Sequence, residues 1–163
     1  MANATDFQPT EVTIGGTRAI RAPFTAKMDT YPSEMKKAID LVKWYVGDKK
    51  LETSGPMGVM FDSWGDSIAA AVVQPLSDQR TFAANRMLGF ANVPQRRMIR
   101  FTYKGPYEGL KDAYEAIAQY LTEQGKIASP ADLSKRTPFY EEYVTDPSAT
   151  PSGEAVTNIY VPA

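Results

Sequence analysis

The stretch Arg97-Met98-Ile99-Arg100-Phe101-Thr102-Tyr103-Lys104-Gly105-Pro106 decides the fold. Ile99, Phe101 and Tyr103 alternate with Met98, Arg100 and Thr102, as in a strand with one buried face. Gly105-Pro106 breaks the strand. Leu110, Ala113, Tyr114, Ile117 and Leu121 then recur at the spacing of an amphipathic helix, and Gly125 is placed to close its C-terminus.

The same order occurs earlier in the chain. Phe24-Thr25-Ala26-Lys27 reads as the end of a strand, Tyr31-Pro32 opens a helix, and Met35, Ala38, Ile39, Val42 and Tyr45 or Val46 form its buried stripe, with an end expected near Gly47. Phe24-Thr25-x-Lys27 aligns with Phe101-Thr102-x-Lys104, and Pro56…Phe61 aligns with Pro138…Tyr143, leaving one short insertion between them. Ser129-Pro130-Ala131-Asp132-Leu133 supplies it as an extra helical turn, with Ser at the N-cap and Pro in the first turn. Each half continues into two strands, at 57–62 and 68–73, then at 139–145 and 155–161.

One strand–helix–strand–strand unit cannot bury both its helix stripe and its sheet face. The expected architecture is therefore α+β. Two such repeats, about 11–75 and about 95–163, pair edge to edge in a pseudo-two-fold antiparallel sheet, with two helices on one face, a ligand cleft, and the opposite, concave face left free. The 163 residues are read as a single domain.

Composition narrows the chemistry. Hydrophobic residues at 43% and charged residues at 23% are those of a folding chain. A net charge of −1, with basic residues scattered apart from Gln95-Arg96-Arg97, lacks the footprint of direct DNA binding. Met1–Phe7 has no apolar run after a basic start, and no stretch reaches the length of a membrane span, so a soluble, cytoplasmic protein is expected. With no Cys and no His, thiolate nucleophiles, imidazole bases and zinc–thiolate sites are excluded. No cofactor or metal is expected. Gly55-Pro56 and Gly105-Pro106 are turns, not phosphate loops, and Lys27 and Lys104 read as solvated strand ends. Acid–base work falls to carboxylate, Lys and Tyr.

In Pro138-Phe139-Tyr140-Glu141-Glu142-Tyr143-Val144, two adjacent acids point to opposite faces of a strand. Periodicity does not choose between them. The repeat does: Glu141 falls on Val59, Glu142 on Met60, and Tyr143 on Phe61, an aromatic position in both halves. A carboxylate there is costly unless a cation or hydrogen-bond donor meets it. Tyr103, Tyr107, Tyr114, Tyr143, Tyr160 and Trp64 offer aromatic surface for a planar or cationic guest.

These residues resemble the GyrI-like small-molecule-binding domains, related to the effector-binding domains of AraC-type and MerR-type regulators. The resemblance rests on Val93-Pro94-Gln95, Lys104–Leu110, Phe139–Pro147 and Thr157–Pro162, with Gly55-Pro56 and Phe61-Asp62 in the first half. It implies paired strand–helix–strand–strand repeats around a cleft whose pocket Glu lies two residues before a strand Tyr. Glu141 before Tyr143 is the matching position. Asn158 stands where many members carry an acid in the last strand, which lowers the negative charge expected in the cleft.

The resemblance implies a small-molecule binder that sequesters or senses lipophilic aromatic or cationic compounds. Glu141 is the charge partner; Tyr143, Trp64, Phe61, Tyr114, Tyr160 and Asn158 are the other candidate ligand-binding residues. With no helix-turn-helix in view, a stand-alone binder is expected. A second reading is a hydrolase of reactive cyclopropane-bearing or similar xenobiotics, with Glu141 as catalytic base. A third, from the family's name, is a protein partner of gyrase.

Overall fold

Alternating apolar residues gather eight strands into one antiparallel sheet. The computed structural model describes residues 8–82, 87–146 and 150–163; Met1–Phe7, Pro147 and the side chain of Tyr107, all read above, lie outside the described residues. The strands are β1 (Thr10–Ile14), β2 (Arg18–Lys27), β3 (Gly58–Ser63), β4 (Ser67–Pro75), β5 (Gly89–Asn92), β6 (Arg96–Lys104), β7 (Phe139–Tyr143) and β8 (Val156–Pro162). The helices are α1 (Tyr31–Lys49) and α2 (Leu110–Glu123). The sheet is eight-stranded, in the order β1-β6-β8-β7-β3-β4-β2-β5. Two strand–helix–strand–strand units, β2-α1-β3-β4 and β6-α2-β7-β8, meet at the β3–β7 seam, and the fold class is α+β.

The register locates the pseudo-two-fold axis. One row of paired residues crosses the sheet as Ala22, Val72, Val59, Glu141, Ile159, Phe101. It reads symmetrically outward from the Val59–Glu141 pair. A parallel correspondence links Phe24, Ala70 and Phe61 to Tyr103, Thr157 and Tyr143. The same spacing carries Tyr31, the first residue of α1, onto Leu110, the first of α2. Phe24 thus corresponds to Tyr103, and the Phe-Thr-x-Lys alignment with Phe101 is displaced along the strand. The alignment of Glu141 with Val59 agrees with the ladder.

Both helices pack on one face. There Val42, Val59, Phe101, Ile117, Leu121 and Ile159 are fully buried in the main core. Burying each such side chain contributes about 1.5–3 kcal/mol. Pro32 suits the first turn of α1. The helix continues past Gly47 to Lys49, where Lys50, in the left-handed region at φ 51°, donates its N–H back to Val46 and Gly47 carbonyls. Gly125, at φ 72°, follows α2 as its sequence position suggested. The inserted turn is a 3₁₀ segment, Pro130–Lys135, anchored by buried Leu133.

The opposite face is not free. Ala19, Met60, Val73, Met98, Tyr140 and Tyr160 form a second apolar cluster there, covered by Val12, Ile14 and Val93. Curling explains it. Only Gly15-Gly16-Thr17 joins β1 to β2, although the two stand at distant places in the strand order. Six flat inter-strand spacings would separate them by about 29 Å, while the link reaches about 15 Å. The sheet therefore bends round, and Gly16 N–H donates to Val93 O at 2.6 Å to fasten the corner. The left-handed φ values of Gly15 and Gly16, 88° and 75°, permit that turn. No helix among the described residues is long and apolar enough to cross a membrane.

Candidate functional site

Alternation along β7 sends Phe139, Glu141 and Tyr143 to the helix face, and Tyr140 and Glu142 to the other. Above the seam, α1 and α2 leave a cavity of about 1150 Å³ with Glu141 in its wall. Its sides come from equivalent positions of the two units: Tyr31 with Leu110, Met35 with Tyr114, Ile39 with Ala118, and Phe61 with Tyr143. Trp64, from the turn after β3, meets Tyr31 and Phe61 edge-on, with ring centroids 5.3 and 5.4 Å apart. Glu108, Lys111 and Glu115 border the same cavity and are exposed.

The two halves have different chemistry. Val59, Met35 and Phe61 are apolar; their counterparts Glu141, Tyr114 and Tyr143 form a hydrogen-bonded group. Tyr114 Oη donates to Glu141 Oε2 at 2.6 Å, and Tyr143 Oη donates to Oε1 at 3.0 Å. Glu141 is 7% exposed, and no Lys or Arg pairs with it among the described residues. Burial pushes its carboxyl above the ordinary glutamate range, while the two tyrosine hydrogen bonds pull the other way. Burial, and then the Glu141 charge, hold the Tyr114 hydroxyl well above the usual tyrosine value; Tyr31 is raised by the same two causes. The result is an acceptor of positive charge, or of a proton, inside an aromatic and thioether-lined hollow.

Of the residues read from sequence, Glu141, Tyr143, Trp64, Phe61 and Tyr114 come together at this cavity. Tyr160 and Asn158 do not. In β8, Ile159 and Val161 face the helices, so Asn158 and Tyr160 face away. There Asn158 Nδ2 and Tyr160 Oη donate to Glu142 Oε1, at 2.9 and 3.1 Å. Asn158 thus has no bearing on the charge of the helix-side cavity. Tyr31 and Leu110 were missed as wall residues; their equivalence emerges only from the corrected register. Among the described residues, no cluster of metal-ligating side chains occurs.

Comparison with known proteins gives a consistent result. A family model described as the GyrI-like small molecule binding domain matches residues 21–163. No curated protein matches the chain. EcmrR in an EcmrR–DNA complex superposes with a TM-score of 0.73 at 16% identity, over 97% of this chain and 57% of that one. This chain thus spans little more than half of that protein. The EcmrR C-terminal domain alone gives 0.71 at 15% identity, over 96% of each chain. A hydrolase from Listeria innocua gives 0.61 at 10% identity, over 96% of this chain and 92% of that one. SAV2435 bound to tetraphenylphosphonium gives 0.62 at 12% identity, over 95% and 93%. At these identities the likeness is one of fold.

Proposed function

We propose, from the premise that this chain belongs to the GyrI-like small-molecule-binding domain family, that it binds lipophilic aromatic cations between α1 and α2, with Glu141 as the charge partner. The observation that carries this reading is the buried Glu141 carboxylate, hydrogen-bonded by Tyr114 and Tyr143 and ion-paired with no Lys or Arg among the described residues. A cation reaching it would offset the desolvation that burial imposes. The apolar counterparts Met35 and Phe61, with Trp64, would take the ring system, and burial of that surface would supply most of the affinity. SAV2435, a structural neighbour, binds a compound of this class. The role would be sequestration or sensing in the cytoplasm.

Titration with tetraphenylphosphonium and rhodamine 6G tests the reading. Glu141→Gln is expected to weaken binding by about tenfold or more, the scale of a buried charge interaction. Equal affinity in wild type and variant removes Glu141 from the site.

A second reading is hydrolysis, favoured by the raised pKa of Glu141, which suits a general base, and by the hydrolase among the structural neighbours. Glu141 would take a proton from water as the oxygen attacks a strained electrophile, with Tyr114 or Tyr143 donating to the leaving atom. Stoichiometry separates the readings. A catalyst consumes many equivalents of a reactive substrate, and a binder stops at one.

A further inference from the structure

The sheet face away from the helices carries a second hollow, of about 310 Å³, at the corner where Gly15 and Thr17 approach Ser54, Gly55 and Pro56. Met60, Val73 and Val93 give it apolar walls, and Tyr140 and Glu142 stand beside them. Glu142 belongs to the strand that carries Glu141 and points to the other side, so the helix-side cavity makes no use of it.

A chain of side chains holds this carboxylate in place. Thr102 Oγ1 donates to Asn158 Oδ1 at 2.8 Å, which fixes the amide so that its NH₂ faces Glu142. Asn158 Nδ2 and Tyr160 Oη then both donate to Glu142 Oε1. Burial, followed by the Glu142 charge, pushes Tyr160 up to about 12, with Arg100 opposing the shift, so its hydroxyl stays a donor. The other oxygen, Oε2, accepts no hydrogen bond among the described residues, and no Lys or Arg pairs with Glu142 there. An oriented, half-buried acceptor beside apolar walls matches a donor carrying a short apolar stem.

We propose that this hollow is a second binding site, which takes a small primary amine: the ammonium on Glu142, and a short aliphatic or single-ring stem against Met60, Val73, Val93 and Tyr140. The volume sets the size. About 300 Å³ is the lower end for small-molecule sites, so a multi-ring cation suits only the larger cavity.

The test is a titration of the full chain with benzylamine hydrochloride near neutral pH, followed by amide chemical shifts and calorimetry. Wild type is compared with Glu142→Gln, Glu141→Gln and Thr17→Trp, the last adding bulk at an exposed wall residue on a different segment from the carboxylate. Saturable binding is expected, weakened about tenfold or more by Glu142→Gln and Thr17→Trp, and weakened far less by Glu141→Gln, whose carboxylate lines the cavity on the other face of the sheet. Benzyl alcohol, which lacks the charge, is expected to bind more weakly than benzylamine. Unchanged affinity in Glu142→Gln overturns the proposal, as does the absence of saturation. Loss in Glu141→Gln alone also overturns it, because the amine would then occupy the helix-side cavity. Should Glu142→Gln fail to fold, Thr17→Trp decides the matter alone. The dye titrations depend on Glu141 and fail or succeed independently of this result.

Discussion

An ionised carboxylate at the place of Glu141 has lost most of its hydration and regained two tyrosine donors. Because its folded pKa is raised, the folded chain holds more protons than the unfolded one between the ordinary and the raised values. Stability therefore falls as pH rises through that window, and Glu141→Gln is expected to abolish this slope in urea unfolding measured as a function of pH. Cation binding has the opposite sign, since it needs the charged form. Affinity for tetraphenylphosphonium should drop on acidification below a midpoint above the ordinary glutamate value, and Glu141→Gln should be flat. Glu108, Glu115 and Lys111 at the mouth, and Tyr31, Tyr114 and Tyr143 within, are the other titratable groups facing the guest. A wild-type midpoint at the ordinary value contradicts the assignment. Tyr114→Phe removes the 2.6 Å bond to Oε2 and should raise that midpoint further. Fluorescence titration at several pH values reads it directly.

At the scale of elements, the seam between β3 and β7 determines where the carboxylate stands. Gly58 is the tight point: a Cβ there would lie 2.5 Å from both the Glu141 carbonyl oxygen and the Tyr140 ring. The backbone atom cannot swing aside, so Gly58→Ala should cost about 1–3 kcal/mol in urea unfolding and weaken dye binding as the strands part. Wild-type values for both would show that the seam gives way more easily than its contacts imply. Strand and helix identities in both units were legible because the apolar period survives along Arg96–Lys104 and Leu110–Glu123. Register was less legible. A slip of one residue exchanges the two faces of a strand and violates its pattern, but a slip of two preserves every face; Phe24 could therefore be matched to Phe101 without conflict, although hydrogen bonding assigns it to Tyr103. Similarly, alternation within β8 shows that Asn158 and Tyr160 share a face, but only pairing with β7 shows which one. The short edge strands β1 and β5 carry too few alternations to announce themselves, and α1 outruns Gly47 because the left-handed turn that ends it falls at Lys50 and not at the glycine.

For the molecule as a whole, the helix-side cavity interrupts the main core, and a bound guest would complete its packing. At a concentration about a hundred times its Kd, a ligand stabilises the native state by about 2.7 kcal/mol, which in a chain of this size raises Tm by about 5–10 °C. Differential scanning calorimetry with tetraphenylphosphonium should show that rise in wild type and a smaller one in Glu141→Gln. No shift under saturation would mean that the guest does not bind the native state in preference to the unfolded chain, which would remove the reading. Val59 and Glu141 face each other across the dyad, so a homodimer of one unit would bring two copies of the same residue into direct opposition. Two acids confined there would repel and could ionise only once, the pair sharing one proton between them. Joining the units in one polypeptide lets the two positions mutate independently, and that freedom is what allows a lone anion to stand on a symmetry axis.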